Sequence, residues 1–263
     1  MITIRRALER EHVALPESKA WHTFFTEDET APLADGFGIL VIVNELGMAP
    51  QRTGSMASSE GAEVVTYVLQ GNIAYEDSVG ASGVIHAGEF QRMDGKKRIR
   101  YRETSTPPSA WAHVFQIGLR SAPPAGASTS EQKRFTLAQR QGVLCTIASE
   151  GGHGASLHIR PDARLFSAVL DPGQHVAHAL APGRKAWLHL VCGKVSLGGT
   201  VLCTGDGAGI QGERAVSVTA RDNSELLLID LPEATTAQSN GLAPQYKTDT
   251  AQHHHRRHSC RRA

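Results

Sequence analysis

The sequence predicts an all-β protein made of two related antiparallel barrels, and three observations carry that expectation. From Gly38 onward, short apolar runs alternate with Gly, Asn, Asp and Pro turns: GILVIVN, EVVTYVLQGNIAYED, SGVIHAGEFQRM, RIRYRE and AHVFQIGL. β-rich runs punctuated in this way belong to sandwiches and barrels. The pattern breaks at residues 121–134, SAPPAGASTSEQKR, where proline, small and polar residues leave nothing to bury, and it resumes from GVLCTIAS to ELLLIDLP. Third, the two halves match. VVTYVLQGNI at Val64–Ile73 aligns with AWLHLVCGKV at Ala186–Val195, glycine on glycine, and each continues into a hairpin and an acidic turn, Gly88-Glu89 or Gly205-Asp206. Such a match implies a duplicated unit.

Taken in order, the elements are a first domain over residues 1–120, a linker over 121–134, a second domain over 135–232 and a tail over 233–263. The tail ends in AQHHHRRHSCRRA and is too polar to bury a core, so disorder is expected there. Helix is sparse, with one short segment expected near Lys133–Gln139. Gly198-Gly199 suits the positive φ angles of a two-residue hairpin turn. Gly207-Ala208-Gly209-Ile210-Gln211-Gly212 matches GxGxxG, but ERAVSVTA continues as strand, so no helix N-terminus follows to meet a pyrophosphate. These glycines are expected to turn a barrel corner.

Composition narrows the function classes. Lys plus Arg total 27 against 26 acids, so a net charge of +1 supplies no field for nucleic acid or an anionic membrane. No run approaches the ~20 apolar residues of a membrane span, and MITIRRALEREHV has no secretory core, which reads as a soluble cytoplasmic protein with no membrane partner and no specific nucleic-acid partner. Cys145, Cys192, Cys203 and Cys260 form no CxxC pair and read as reduced thiols, with Cys192 packing as a small hydrophobe. The tail's His253, His254, His255 and His258, with Arg256, Arg257, Arg261 and Arg262, read as a non-specific basic end. Neither GxxxxGK[ST] nor GxSxG is present.

VVTYVLQGNIAYEDS, GVIHAGEFQRM, the strand ending in Glu103 and HVFQIGL resemble the pirin family of bicupins. In the second half DPGQ, GRKAWLHLVCGKVSLGG, CTGDGAGI and ELLLIDLP resemble the C-terminal cupin of its bacterial, quercetinase-like members. The likeness spans roughly Trp21 to Pro232 and implies two jelly-roll domains with few short helices. It also implies a ligand set, because active members hold one iron-type metal in the first barrel through His-Pro-His, a third histidine and a glutamate two residues beyond it. Counting from Glu63 puts the first two histidine positions on Ala57 and Ser59, the third falls on Tyr101, and only Glu103 matches. Alternate strand residues share a face, so His-x-His aims two imidazoles inward, which alanine and serine cannot replace. A phenol with pKa near ~10 is a poor ligand at neutral pH. No metal is therefore expected in the first barrel. In the second, the equivalent positions are Ala179 and Ala181, with Lys185 where Glu63 sits, and His175 and His178 are three apart and would face opposite sides.

If Glu103 keeps the family orientation, Ile99, Tyr101 and Glu103 face inward, and Lys96, Arg98, Arg100 and Arg102 outward as a solvated face or basic rim. Glu63, Tyr67, Tyr101 and Glu103 would then line one cavity, with His113 and Gln116 on a neighbouring strand and His86 nearby. Two carboxylates in an apolar pocket cannot both ionise cheaply. Three functions stay open beside a merely filled core. The first is a binding or regulatory protein without cofactor, taking a small aromatic or polar ligand or a protein partner. The second is a quercetin 2,3-dioxygenase-like enzyme with one divalent iron-type metal, for which His86 and His113 would have to converge on Glu103. The third is a cofactor-free enzyme using Glu63 and Glu103 as catalytic acid and base.

Overall fold

A computed structural model describes residues 1–24, 33–50, 53–56, 61–77, 80–94, 99–103, 111–121 and 129–233, with backbone alone at 53–56, 94 and 99–103. The expected tail, Ala57 and Ser59 lie outside the described residues, as do the side chains of Tyr101, Glu103 and the arginines around them.

The first half runs through β1 (Ile2–Arg5), β2 (Glu11–Leu15), β3 (Ser18–His22), β4 (Leu40–Met48), β5 (Thr53–Met56) and β6 (Ala62–Gln70). It continues with β7 (Asn72–Asp77), β8 (Ser82–His86), β9 (Glu89–Asp94), β10 (Ile99–Glu103) and β11 (Ala112–Arg120). The second half has β12 (Ser130–Arg134), helix α1 (Leu137–Arg140), β13 (Cys145–Glu150), β14 (Leu157–Ile159), β15 (Arg164–Leu170) and β16 (His175–Ala179). Then come β17 (Arg184–Cys192), β18 (Lys194–Leu197), β19 (Thr200–Cys203), β20 (Gly207–Ile210), β21 (Ala215–Ala220) and β22 (Ser224–Pro232). No described helix is long and apolar enough to cross a membrane.

Each half is a jelly roll in which a seven-stranded sheet faces a four-stranded one, rather than a barrel closed by hydrogen bonds. The strand orders are β12-β9-β6-β11-β4-β3-β2 over β5-β10-β7-β8, and β1-β20-β17-β22-β15-β13-β14 over β16-β21-β18-β19. They correspond strand for strand, so the duplication is structural. One departure is that β2 and β3 are antiparallel where β13 and β14 are parallel.

The correspondence exposes an exchange. β1 begins the chain but pairs with β20 of the second lobe, and β12, which precedes the second lobe, pairs with β9 of the first. The expected linker is therefore cut short: residues 130–134 are a strand of the first sheet, because the bonding edge of β9 needs a partner. Likewise residues 2–5, expected within the first domain, complete the second. The helix expected near 133–139 forms at Leu137–Arg140.

The two seven-stranded sheets also pack on each other. One core lies between the lobes and joins Val43, Val65, Tyr67 and Phe115 to Ile147, Leu157, Trp187 and Leu227. Separate cores fill each lobe's own interior, Val68, Ile73, Ile85 and Val114 in the first, Leu188, Val195, Val216 and Leu228 in the second. Odd residues of β6 thus face the seam between lobes and even residues face the first lobe's interior. The glycines of the GxGxxG match do not turn a corner. Gly207 and Gly209 lie within β20, where an added Cβ would come 2.3 Å from Trp187 and 2.7 Å from Phe37. Their missing side chains make room for two seam aromatics. The Gly198-Gly199 turn has the expected positive φ angles, 53° and 82°.

Gly207→Ala should destabilise the protein by about 1–3 kcal/mol, since Trp187 is fully buried and has nowhere to move. Urea denaturation checks this, and an unchanged midpoint would show that the seam is loosely packed.

Candidate functional site

The interior of the first lobe carries a row of neutral polar side chains across five adjacent strands. Gln91 on β9 is opposite Thr66 on β6, Thr66 opposite Gln116 on β11, Gln116 opposite Asn44 on β4, and Asn44 opposite His22 on β3. Directly paired residues of a sheet share a face, so the five form one line. His22 Nδ1 lies 3.0 Å from Asn44 Oδ1. Apolar rows flank the line, with Met93, Val64 and Ile42 on one side and Val68, Val114 and Leu46 on the other. Gln91 is only 1% exposed, and among the described residues neither its amide nitrogen nor its amide oxygen has a hydrogen-bond partner. A buried amide left so costs stability, which makes the position a candidate for recognition.

The duplicated lobe provides a control. By the same registers its row reads Ala208, Leu188, Leu228, Phe166 and Thr146. The same strand arrangement thus also carries a line that is apolar from Ala208 to Phe166, so it does not by itself demand the amides and hydroxyl of the first lobe.

The residues expected around one cavity fall on two sides of a sheet. Gln116 faces the interior. Glu63, Tyr67 and His113 face the seam, on the opposite side of their strands. Fully buried Glu63 lies 3.3 Å from both Arg92 and Arg160, and Arg160 reaches it from the second lobe. Tyr67 donates to Glu225 at 2.6 Å, accepts from Arg140 at 3.1 Å and stacks on Phe90 with centroids 4.2 Å apart. Burial first, and then the Glu225 charge, push its phenol well above the ordinary range. His113 Nε2 lies 2.8 Å from Glu45, which also pairs with Arg10. Burial would raise the Glu45 carboxyl, but the His113 hydrogen bond and the Arg10 charge more than reverse this and hold it low. His86 is exposed and bonds to Asn72 at 3.0 Å. Position 103 pairs with Ile73 and position 101 with Tyr75 on the four-stranded sheet. Hence His86 and His113 do not converge on position 103, and Glu63 is parted from it by the sheet, because β6 turns that carboxylate toward the other lobe. Among the described residues, no three His, Cys, Asp or Glu side chains are grouped to hold a metal.

In the second lobe His175 and His178 do face opposite sides. His175 is exposed and bonds to Ser217, whereas His178 turns inward, 2.7 Å from Asp230. Asp230 is fully buried; burial would raise its carboxyl, but hydrogen bonds from His178 and Arg184 hold it below the usual range. Cys192 is exposed rather than packed, because the β17 register shifts between Leu190 and Cys192.

Comparison with known proteins agrees with this architecture. Residues 4–119 match the Pirin family model, and residues 146–231 match the quercetinase C-terminal cupin domain. A quercetin 2,3-dioxygenase of Escherichia coli K12 is 32% identical over 233 residues, 88% of this chain and 99% of that protein. The chain belongs to the pirin family. A pirin-like protein of Caulobacter vibrioides is also 32% identical, over 81% of this pirin and 91% of the relative. The crystal structure of bacterial pirin YhhW from Escherichia coli, in complex with nickel(II), superposes with a TM-score of 0.78 at 30% identity, covering 89% of this chain and 100% of that one.

Sequence reasoning missed four members of this pirin's polar row, His22, Asn44, Thr66 and Gln91. The signal was available as polar letters inside otherwise apolar strands, TYVL and VIVN among them.

Glu63→Gln should cost about 1.5–3 kcal/mol, the worth of hydrogen bonds to a charged group, while leaving first-lobe ligand binding intact. An altered ligand affinity with unchanged stability would return Glu63 to the site. Acid should weaken the fold through His189, whose imidazole is pushed from 6.5 to about 3 by burial and then by the Arg10 charge. Below about 6.5 the unfolded chain takes up this proton and the folded protein does not. Stability should therefore fall as pH drops toward 3, with a slope approaching about 1.4 kcal/mol per pH unit from this residue. Asp230 and Glu45, held low, add loss in the same direction as pH falls through the carboxylate range. Urea midpoints from pH 7 to 4 test this, and His189→Phe should flatten the upper part of the curve.

Proposed function

We propose that this pirin is a small-molecule-binding protein whose first lobe takes a flat, hydroxylated aromatic ligand, and that it does so without the three-histidine metal centre of its active relatives. The observation that carries the reading is the polar row, above all the buried Gln91 amide with both of its polar atoms unpaired. A line of amide and hydroxyl groups between apolar rows complements a planar ring system whose hydroxyl and carbonyl groups lie along an edge. Quercetin, which names the Escherichia coli relative, is such a molecule.

The donor set argues against a metal held in the family manner. The four coordinating positions carry Ala57, Ser59, Tyr101 and Glu103. The histidines that would have to substitute are committed elsewhere, His86 to Asn72 and His113 to Glu45. No step through a metal is therefore derived for this chain. Ligand contacts in this reading come from Gln91, Thr66, Gln116 and Asn44, with positions 101 and 103 on the facing sheet; a protein partner would read the ligand-bound state.

The test is calorimetric titration of quercetin into full-length protein with His253, His254, His255 and His258 changed to alanine, with and without EDTA. Binding should be unaffected by the chelator, and Gln91→Leu should weaken it about tenfold or more, the equivalent of at least ~1.4 kcal/mol. Stoichiometric transition metal together with oxygen uptake on quercetin would instead establish the dioxygenase reading. Unchanged affinity in Gln91→Leu would remove the row from the site.

A further inference from the structure

The seam between the lobes has two polar poles related by the duplication, and they are not equally satisfied. The alignment that sets Val64–Ile73 on Ala186–Val195 places Tyr67 on His189. The registers extend it. Tyr67 pairs with Phe115 and His189 with Leu227, while Phe115 pairs with Glu45 and Leu227 with Ser167. His113 and Glu225, two residues before Phe115 and Leu227, are therefore counterparts, as are Glu45 and Ser167. Arg10 closes the Ala7–Glu9 turn after β1, and Arg140 ends α1 after β12, so the exchanged strands lead into the two arginines in the same way.

At the first pole the groups close on one another. The Tyr67 hydroxyl donates to Glu225, and Arg140 Nη1 donates to Tyr67, to Ser167 at 3.2 Å and to Glu225 at 2.6 Å. Among the described residues of this pole, Tyr67, Ser167, Glu225 and Arg140, the one buried polar atom without a hydrogen-bond partner is Arg140 Nε. At the second pole His189 is 0% exposed and both ring nitrogens are unpaired. Arg10 Nη1 is ion-paired with Glu45 at 2.9 Å, while its Nε has no hydrogen-bond partner among the described residues. The chain of rings His113, Phe115 and His189, with centroids 5.1 and 5.8 Å apart, holds these groups in one cluster. The imidazole has no counterpart of the phenol oxygen that joins arginine to carboxylate at the first pole.

We infer that the second pole is a binding site for water, in which at least one molecule stands where Tyr67 puts its hydroxyl, accepting from Arg10 and bonding to His189. Water supplies donors and acceptors together, as the phenol does, and a buried water needs two to four polar partners. An anion is the poorer occupant, because Glu45 and Asp206 both face His189 with negative charge.

The sign of one substitution decides the matter. If water is bound, His189→Phe strands it and Arg10, and the folded-to-unfolded equilibrium constant at pH 7 should fall about tenfold. With no bound water, deleting two unpaired nitrogens would raise that constant or leave it unchanged, and either result overturns the inference. His189→Tyr, which restores the arrangement of the first pole, should be more stable than His189→Phe; equal or lower stability counts against the site. Because phenylalanine could disturb packing by itself, the wild-type protein supplies an independent measurement. A crystal structure at a resolution that shows ordered solvent should contain density between Arg10 and His189, and a dry site there refutes the proposal. Stability that rises with chloride or nitrate at fixed ionic strength would refute it in favour of an anion.

Discussion

The back-to-back packing of the two seven-stranded sheets fixes everything else in this protein. Each sheet is covered on one side by its own four-stranded partner and on the other by the opposite lobe, so β6, β11, β17 and β22 are buried on both faces. The exchanged strands β1 and β12 then tie each lobe's leading segment to the other lobe's sheet edge. A charge set into this seam must bring its partner with it, because an unpaired buried charge costs several kcal/mol. Glu63 is met by Arg92 and Arg160, Glu225 by Arg140, and Glu45 by Arg10 and His113. These ions hold the lobes in register and lie in the seam, on the other side of the sheet from the polar row.

The same packing explains which parts of the structure the sequence disclosed. Short β runs, the duplication, the Gly198-Gly199 turn and the false dinucleotide fingerprint were all legible, because they depend on local chemistry and spacing. The facing of Glu63 and Tyr67 was not. Alternation reports an inner face only when the other face is wet, and VVTYVL and AWLHLV have no wet face, so their period says nothing about direction. A carboxylate and a phenol in such a run look like cavity groups until the arginines that meet them are placed. Arg140 and Arg160 are far from Glu63 and Tyr67 in the chain, and no spacing rule could have joined them. His175 and His178 were read correctly because β16 does have an exposed side.

Duplication makes the fold its own comparison. Where the copies agree, as in strand order and in the glycine after β6 and β17, the shared feature serves the jelly roll. Where they differ, the strand arrangement does not dictate the residue type. The row of Gln91, Thr66, Gln116 and Asn44 against Ala208, Leu188, Leu228 and Phe166 is the clearest such difference in the interiors. Polar groups in a core reduce stability unless satisfied, and the second lobe shows that this backbone accepts an apolar row at the same place. At Gln91, whose amide is buried without a partner among the described residues, the first lobe keeps a costly group that the strand arrangement does not require.

The distribution of charge also bears on chemistry. Acid–base catalysis in the first-lobe interior would need two ionisable groups there, held at different proton affinities. Glu63 cannot be one of them, since the sheet lies between it and position 103 and two arginines keep it in the seam. His22, held at 3.0 Å by Asn44, is the titratable side chain that the polar row itself presents. The other four positions of the row are amides and a hydroxyl, groups that orient a molecule by donating and accepting hydrogen bonds without exchanging protons near neutral pH. Such a surface discriminates by the pattern of a ligand's polar edge, because any mismatch leaves a buried amide unpaired. The described side chains of this row are thus suited to hydrogen-bonded recognition of a polar edge.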